Sequence, residues 1–158
     1  MEHETRVEVS VNDHADFGIV NLGTLESARI VLIEEMQDDM DVRTPLLKLP
    51  GGRKKGKELP AATVVREIYE ELHGLVVNPK EIFFRQSMQG EHPHTFNVWT
   101  LAVPKKIGLE HLPVGDGVRK IVVLSEPLLA SMLATGEIIA PVHSAALTRY
   151  LFLPSHAR

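Results

Sequence analysis

The chain predicts an α+β domain in which a mixed β-sheet is layered with helices, and three observations carry that expectation. Two pairs of strand-like, β-branched runs are each separated by a short stretch rich in turn residues, as hairpins require. One amphipathic helical segment stands between those pairs, and two more helical segments close the chain, an arrangement that calls for helices layered on a sheet. A length of 158 residues with 44% hydrophobic content suits one domain over 1–158 with a substantial buried core.

Residues 6–11, RVEVSV, alternate polar and apolar side chains at the period of a half-buried strand. That strand has two open destinations, its own sheet or a second copy in a homodimer. DFGIVNL (16–22) and ARIVLI (28–33) predict a hairpin joined across 23–27, the second run being apolar enough for the centre of a sheet. MQDDMDVRTP (36–45) carries three acids and Pro45, and so predicts an exposed loop before a short strand over 46–49. Pro50, Gly51 and Gly52 then turn the chain.

Pro60 suits the first turn of a helix and Gly74 stands just past its end, so a helix is expected over 60–73. Ala61, Val65, Ile68 and Leu72 form its apolar stripe, well separated from Glu67, Glu70 and Glu71, which fall at i, i+3 and i+4. One face is expected to pack and the other to meet solvent or a ligand. EIFFRQSM (81–88) and TFNVWTLAV (95–103) predict a second hairpin, on which Phe96 and Trp99 should point to opposite faces. RKIVVL (119–124) reads as a further strand, and helices are expected over 126–134 and 141–153.

Composition excludes several functions. With no cysteine there are no disulfides, thiolate metal sites or cysteine nucleophiles, and a reducing, cytoplasmic setting is expected. A net charge of −4 argues against general nucleic-acid binding or attachment to an anionic membrane. The polar, acidic N-terminus does not resemble an export signal, and no run of apolar residues is long enough to span a bilayer.

Three glutamates on one helix face repel by roughly 0.2–0.5 kcal/mol per pair, and a hard divalent cation would offset that repulsion. Such an ion, bound with a diphosphate, implies attack of water on phosphorus with a carboxylate as general base. Taken alone, the cluster is better read as a solvated helix face. Its company is more specific: Gly52, five residues, Glu58, seven residues, then Arg66, Glu67, Ile68, Tyr69, Glu70 and Glu71.

This pattern resembles the Nudix hydrolases, whose box runs glycine, five residues, glutamate, seven residues, Arg-Glu-U-x-Glu-Glu-x-Gly-U, with U a bulky aliphatic residue. Leu49, Pro50, Gly51 and Gly52 also match the approach to the box, which here spans 52–75. The resemblance implies an α/β/α sandwich and a pyrophosphohydrolase that cleaves a diphosphate linkage in a small nucleoside diphosphate derivative with Mg²⁺ or Mn²⁺. It further implies that the Gly52 carbonyl and the carboxylates of Glu67, Glu70 and Glu71 bind the metal. The three glutamates would be catalytic, Glu67 would be a candidate base, and Glu58 and Arg66 would support the loop. A catalytically silent nucleotide-binding module is the alternative. Two departures stand out: Leu72 and His73 intervene before Gly74 where the family has one residue, and Leu47 stands where many members have tryptophan.

Gly51 to Lys57 also fits the opening of a P-loop, but Glu58 stands where that loop needs serine or threonine. The basic residues Arg53, Lys54, Lys55 and Lys57 remain candidates for substrate phosphates. Glu91, Glu110 and Asp116 are candidates for an additional metal carboxylate. His92 and His94 read as a polar hairpin loop, and His143–Ser144 lacks the strand–turn–helix setting of a serine nucleophile.

Overall fold

The computed structural model describes residues 13–23, 28–39, 42–72, 74–89, 95–103, 118–136 and 140–152. The expected strand at 6–11, the histidines at 92 and 94, and Glu91, Glu110 and Asp116 lie outside these residues.

The chain runs β1 (His14–Leu22), β2 (Arg29–Asp39), β3 (Val42–Lys48), β4 (Gly51–Arg53), α1 (Pro60–Glu71), a 3₁₀ turn (Pro79–Glu81), β5 (Ile82–Gln89), β6 (Thr95–Val103), β7 (Val118–Ser125), α2 (Glu126–Thr135) and α3 (Pro141–Phe152). The seven strands among the described residues form one mixed sheet. β1 is its organising strand. Along one edge it pairs in parallel with β6 from His14↔Thr95 to Leu22↔Val103. Its other edge is shared, antiparallel β4 covering Ala15–Phe17 and antiparallel β2 covering Val20–Leu22. β7 pairs with β2 from Arg29 to Glu35, a span overlapping both the β1 and the β3 registers, so β1 and β3 must share the opposite edge of β2.

Period-2 alternation divides the strand residues between two cores. On one face Phe17, Ile19, Ile30, Leu32, Phe96 and Val98 pack with Leu129 of α2 and Ala146, Leu147 and Tyr150 of α3. On the other, Val20, Val31, Ile33 and Leu101 pack beneath Val64, Ile68 and Leu72 of the α1 segment. The fold is therefore an α/β/α sandwich, as expected, with α1 on one face and α2 and α3 on the other. A glycine sets how closely α1 sits on β1: a Cβ at Gly18 would lie 2.9 Å from Ile68 Cδ1. Phe96 joins the first core and Trp99 the second, opposite faces as the strand period demands.

Three expectations change. The acidic stretch 36–45 is not a loop: β2 continues to Asp39 and β3 begins at Val42, paired from Ile33↔Lys48 to Asp39↔Val42. A ladder is made by backbone groups, which a polar sequence supplies as well as an apolar one, and Pro45 is tolerated because β3 is an edge strand. Gly51 and Gly52 follow the turn at Pro50 as part of β4. The packing face of α1 is also rotated from the expected stripe. Thr63, Val64, Ile68 and Glu71 are its buried residues, whereas Ala61 and Val65 only flank the core.

The helix ends one turn before Gly74, which adopts φ +83° and donates its N–H to the Tyr69 carbonyl at 2.7 Å. Leu72 donates to Ile68 at 2.9 Å. This is a glycine-terminated end with a six-to-one bond, so the extra residue before Gly74 is taken up after the last helical turn.

Candidate active site

The β4–α1 segment brings the acidic residues to the glycines. Gly51 has φ +149°, and a Cβ there would lie 2.2 Å from the Asp16 carbonyl oxygen, so only glycine fits against β1. Gly52 is tight for another reason: a Cβ would lie 2.7 Å from the carboxyl carbon of Glu67. The missing side chain is thus the space in which the Glu67 carboxylate rests.

Glu71 lies beneath the same turn, 3% exposed, with Oε1 accepting from the Gly51 N–H at 2.7 Å. Burial pushes its carboxyl up to about 8, against the pull of the nearby Lys48 ammonium and the Gly51 N–H. The expectation that all three glutamates face outward therefore fails for Glu71. Its partner is a backbone amide supplied by tertiary packing, which no helical periodicity reveals.

Glu67 and Glu70 share a single donor. Arg66 Nη1 reaches Glu67 Oε1 at 2.9 Å and Glu70 Oε2 at 3.1 Å. Arg66 Nε and Nη2 grip the two oxygens of Glu58 at 2.9 and 3.0 Å, and Nη2 also donates to the Arg53 carbonyl at 3.0 Å. Five hydrogen bonds thus match the five N–H groups of the guanidinium. Glu58 further accepts from Thr63 Oγ1 at 2.8 Å and Lys55 N at 3.2 Å. The Arg66 bond, aided by Thr63 and Lys55, holds the Glu58 carboxyl down to about 2 against its partial burial, and Glu58 in turn raises the Arg66 guanidinium.

The basic loop is less organised. Lys55 approaches Glu70 at 3.7 Å with its side chain largely exposed, and Arg53 and Lys57 are exposed as well, with Lys54 partly covered. Lys55 thus stands closest to the acidic face of α1 in what the ion pairs show. Lys48 is a residue that motif reading missed: it pairs with Glu35 across β2 and β3 at 3.1 Å and places a positive charge near Glu71. Its position just before Leu49-Pro50-Gly51-Gly52 was the only available signal. His143 is also settled. It is buried, accepts from Leu49 N at 3.0 Å, and packs edge-on against Phe17 and Phe96, so it holds β3 to α3 rather than serving a nucleophile.

The residues fit a hard divalent cation in donor chemistry: three carboxylates and the Gly52 carbonyl are oxygen ligands, and the side-chain-free turn leaves room beside Glu67. Among the described residues no three acidic or histidine side chains are already gathered on one point. Arg66 bonds one oxygen each of Glu67 and Glu70, and the Gly51 N–H one oxygen of Glu71, so a cation would be met by the second oxygen of each carboxylate with those bonds kept.

No family profile and no curated protein matches the sequence. Solved structures do. A MutT/nudix family protein from Listeria innocua superposes with TM-score 0.64 at 18% identity over 87% of this chain and 90% of that one. The NUDIX domain of Shewanella oneidensis NrtR, crystallised with ADP ribose, gives 0.64 at 13% identity over 87% and 84%. The T. brucei MERS1–RNA complex gives 0.64 at 12% identity over 80% and 55%. The chain spans about half the length of that protein, and 44% of a MutT/nudix family protein from Enterococcus faecalis that it also matches. The chain has the Nudix fold.

Proposed function

We propose that the protein is a divalent-metal-dependent pyrophosphohydrolase of the Nudix type, cleaving a diphosphate linkage in a nucleoside diphosphate derivative by attack of water on phosphorus. One observation carries the reading: the Glu67 carboxylate rests in the space that Gly52 leaves open and Glu71 accepts from the Gly51 N–H, with Glu70 joined to Glu67 through Arg66. The Nudix fold supports it, as does the nucleotide ligand of the Shewanella structure. Mg²⁺ or Mn²⁺ bound by these carboxylates and the Gly52 carbonyl would neutralise phosphate charge and acidify water.

The chain's own groups supply the rest. Glu67, beside the open face of Gly52, accepts the proton of the attacking water, the new P–O bond forms, and the bridging P–O bond breaks to release two phosphate-bearing products. Arg66 and Glu58 keep Glu67 and Glu70 aimed at the turn. Lys54, Lys55, Lys57 and Arg53 attract the polyanionic substrate to this edge without recognising it individually. Among the described residues no helix is long and apolar enough to cross a membrane, in keeping with a proposed cytoplasmic setting.

The test is a hydrolysis screen with Mg²⁺ and with Mn²⁺ over nucleoside triphosphates, nucleotide sugars including ADP-ribose, dinucleoside polyphosphates and capped RNA. Turnover that chelator abolishes, and that Glu70→Gln and Glu71→Gln largely remove while the fold persists, is expected. Tight nucleotide or RNA binding without turnover in any member of the panel would instead establish the silent binding module, a reading favoured by the RNA complex of the T. brucei protein.

A further inference from the structure

Beneath the loop between β4 and α1 lies a buried polar cluster that the acidic helix does not include. His14 and Asp16 are 4% and 0% exposed. They alternate along β1 with Ala15 and Phe17, which belong to the opposite core, so both project to the α1 face. Asp16 accepts from His14 Nδ1 through one oxygen. Its other oxygen accepts from Asn97 Nδ2 at 3.1 Å and Trp99 Nε1 at 2.9 Å. The second nitrogen of His14, Nε2, lies 3.0 Å from the Glu58 carbonyl oxygen.

Both imidazole nitrogens therefore face oxygen acceptors. Nδ1 faces the Asp16 carboxylate and Nε2 the Glu58 carbonyl. His14 holds the loop at both ends, because its own carbonyl also accepts from Lys54 N at 3.0 Å. The far end of this clamp is the residue whose carboxylate grips Arg66, and Arg66 holds Glu67 and Glu70. A continuous chain of bonds thus runs from Trp99 and Asn97 in the sheet to two of the glutamates. Stability alone does not call for such a cluster, since well-packed apolar side chains often replace buried polar partners without loss. What a fully satisfied buried network provides is a single geometry.

We infer that His14, seated on Asp16, is a positioning residue for the acidic site: it sets the Glu58 backbone so that the Glu58–Arg66 pair presents Glu67 and Glu70 to a divalent cation. The inference rests on the proposed metal-dependent reading, and the experiment separates the two. Mn²⁺ binding is titrated by electron paramagnetic resonance on the full chain, in wild type, His14→Ala, Glu58→Gln and the double variant, with circular dichroism melts in chelator. His14→Ala is expected to weaken Mn²⁺ roughly tenfold or more, the range for outer residues that orient metal ligands. The double variant should bind no more weakly than Glu58→Gln alone, because both changes act through one path.

Unchanged Mn²⁺ affinity in His14→Ala together with a lowered melting temperature overturns the inference and leaves His14 a structural residue. Additive losses in the double variant overturn it too. Should His14→Ala fail to fold, Trp99→Phe removes one donor from Asp16 while keeping a ring against Phe84. A smaller weakening in the same direction is then expected, and wild-type affinity overturns the inference. Wild-type protein that binds no Mn²⁺ refutes both this inference and the proposed function; wild-type binding with an indifferent His14 refutes only this one.

Discussion

Gly52→Ala separates the acidic site from the fold that carries it. Gly52 is not among the glycines with positive φ, so alanine brings no backbone strain there. Its Cβ would lie 2.7 Å from the Glu67 carboxyl carbon and Oε1 and 3.0 Å from Oε2. Ordinary contact begins near 3.4 Å, so the carboxylate must retreat by about 0.7 Å. Because the displaced group is the end of a flexible side chain, the stability cost should stay within about 1 kcal/mol, roughly 2–4 °C for a domain of this size. The site is less forgiving: misplacing a reacting group by about 1 Å costs on the order of 10²-fold. A loss of roughly 30- to 100-fold in kcat follows, or about 2–3 kcal/mol of transition-state stabilisation. Phosphate release under Mg²⁺ on whichever substrate the screen identifies, read beside a thermal melt, provides the measurement. A variant that melts normally and turns over at the wild-type rate would refute the placement of Glu67 at this turn, and a collapse of the melting temperature would show that Gly52 serves the fold instead.

Arg66→Lys should lower stability by about 2 kcal/mol and cut turnover at least tenfold, because an ammonium cannot reproduce the two-pronged grip on Glu58 together with the bonds to Glu67, Glu70 and the Arg53 carbonyl; matched melts and rates check this, and a neutral outcome refutes it. For Glu71 the sign follows from a carboxyl raised to about 8 from 4.5: the folded state holds the extra proton, so metal-free stability falls as pH rises through this window. Melts in chelator should therefore decline from pH 6.5 to 8, and Glu71→Gln should flatten that slope; an unchanged slope counts against it. His143 acts on the acid side. Burial lowers it to about 3 from 6.5, so the stability of its neutral form is lost as pH falls below 6.5. A His143→Gln chain should show a shallower acid slope than wild type in paired urea titrations, and equal slopes would contradict the assignment.

The ends of α1 were legible because Pro60 and Gly74 act through local backbone conformation, and the hairpins because strand-like runs flank short turn-rich stretches. The β2–β3 arm was not legible, since backbone pairing between Met36 and Pro45 leaves no trace in an acidic sequence. Spacing placed Glu67, Glu70 and Glu71 on one arc of helix, yet which edge of that arc turns inward depends on where the Gly51 amide lies. His14, Asp16 and Lys48 belong to no motif. They act through contacts across strands, and His14 meets Glu58 from forty-four residues away.

The shared edge of β1 has a consequence for how the protein fails. In sequence Pro50-Gly51-Gly52 has the composition of a mobile hinge, but Gly51, Gly52 and Arg53 are laddered to β1, and the Pro50 carbonyl accepts from Gly18 N at 2.9 Å. The Gly52 carbonyl, proposed above as a metal ligand, therefore belongs to the sheet's cooperative unit, and opening it requires opening β1, which also carries β2 and β6. Thermal damage should accordingly silence this site together with global melting, in one transition, instead of eroding it first while the rest of the domain stands.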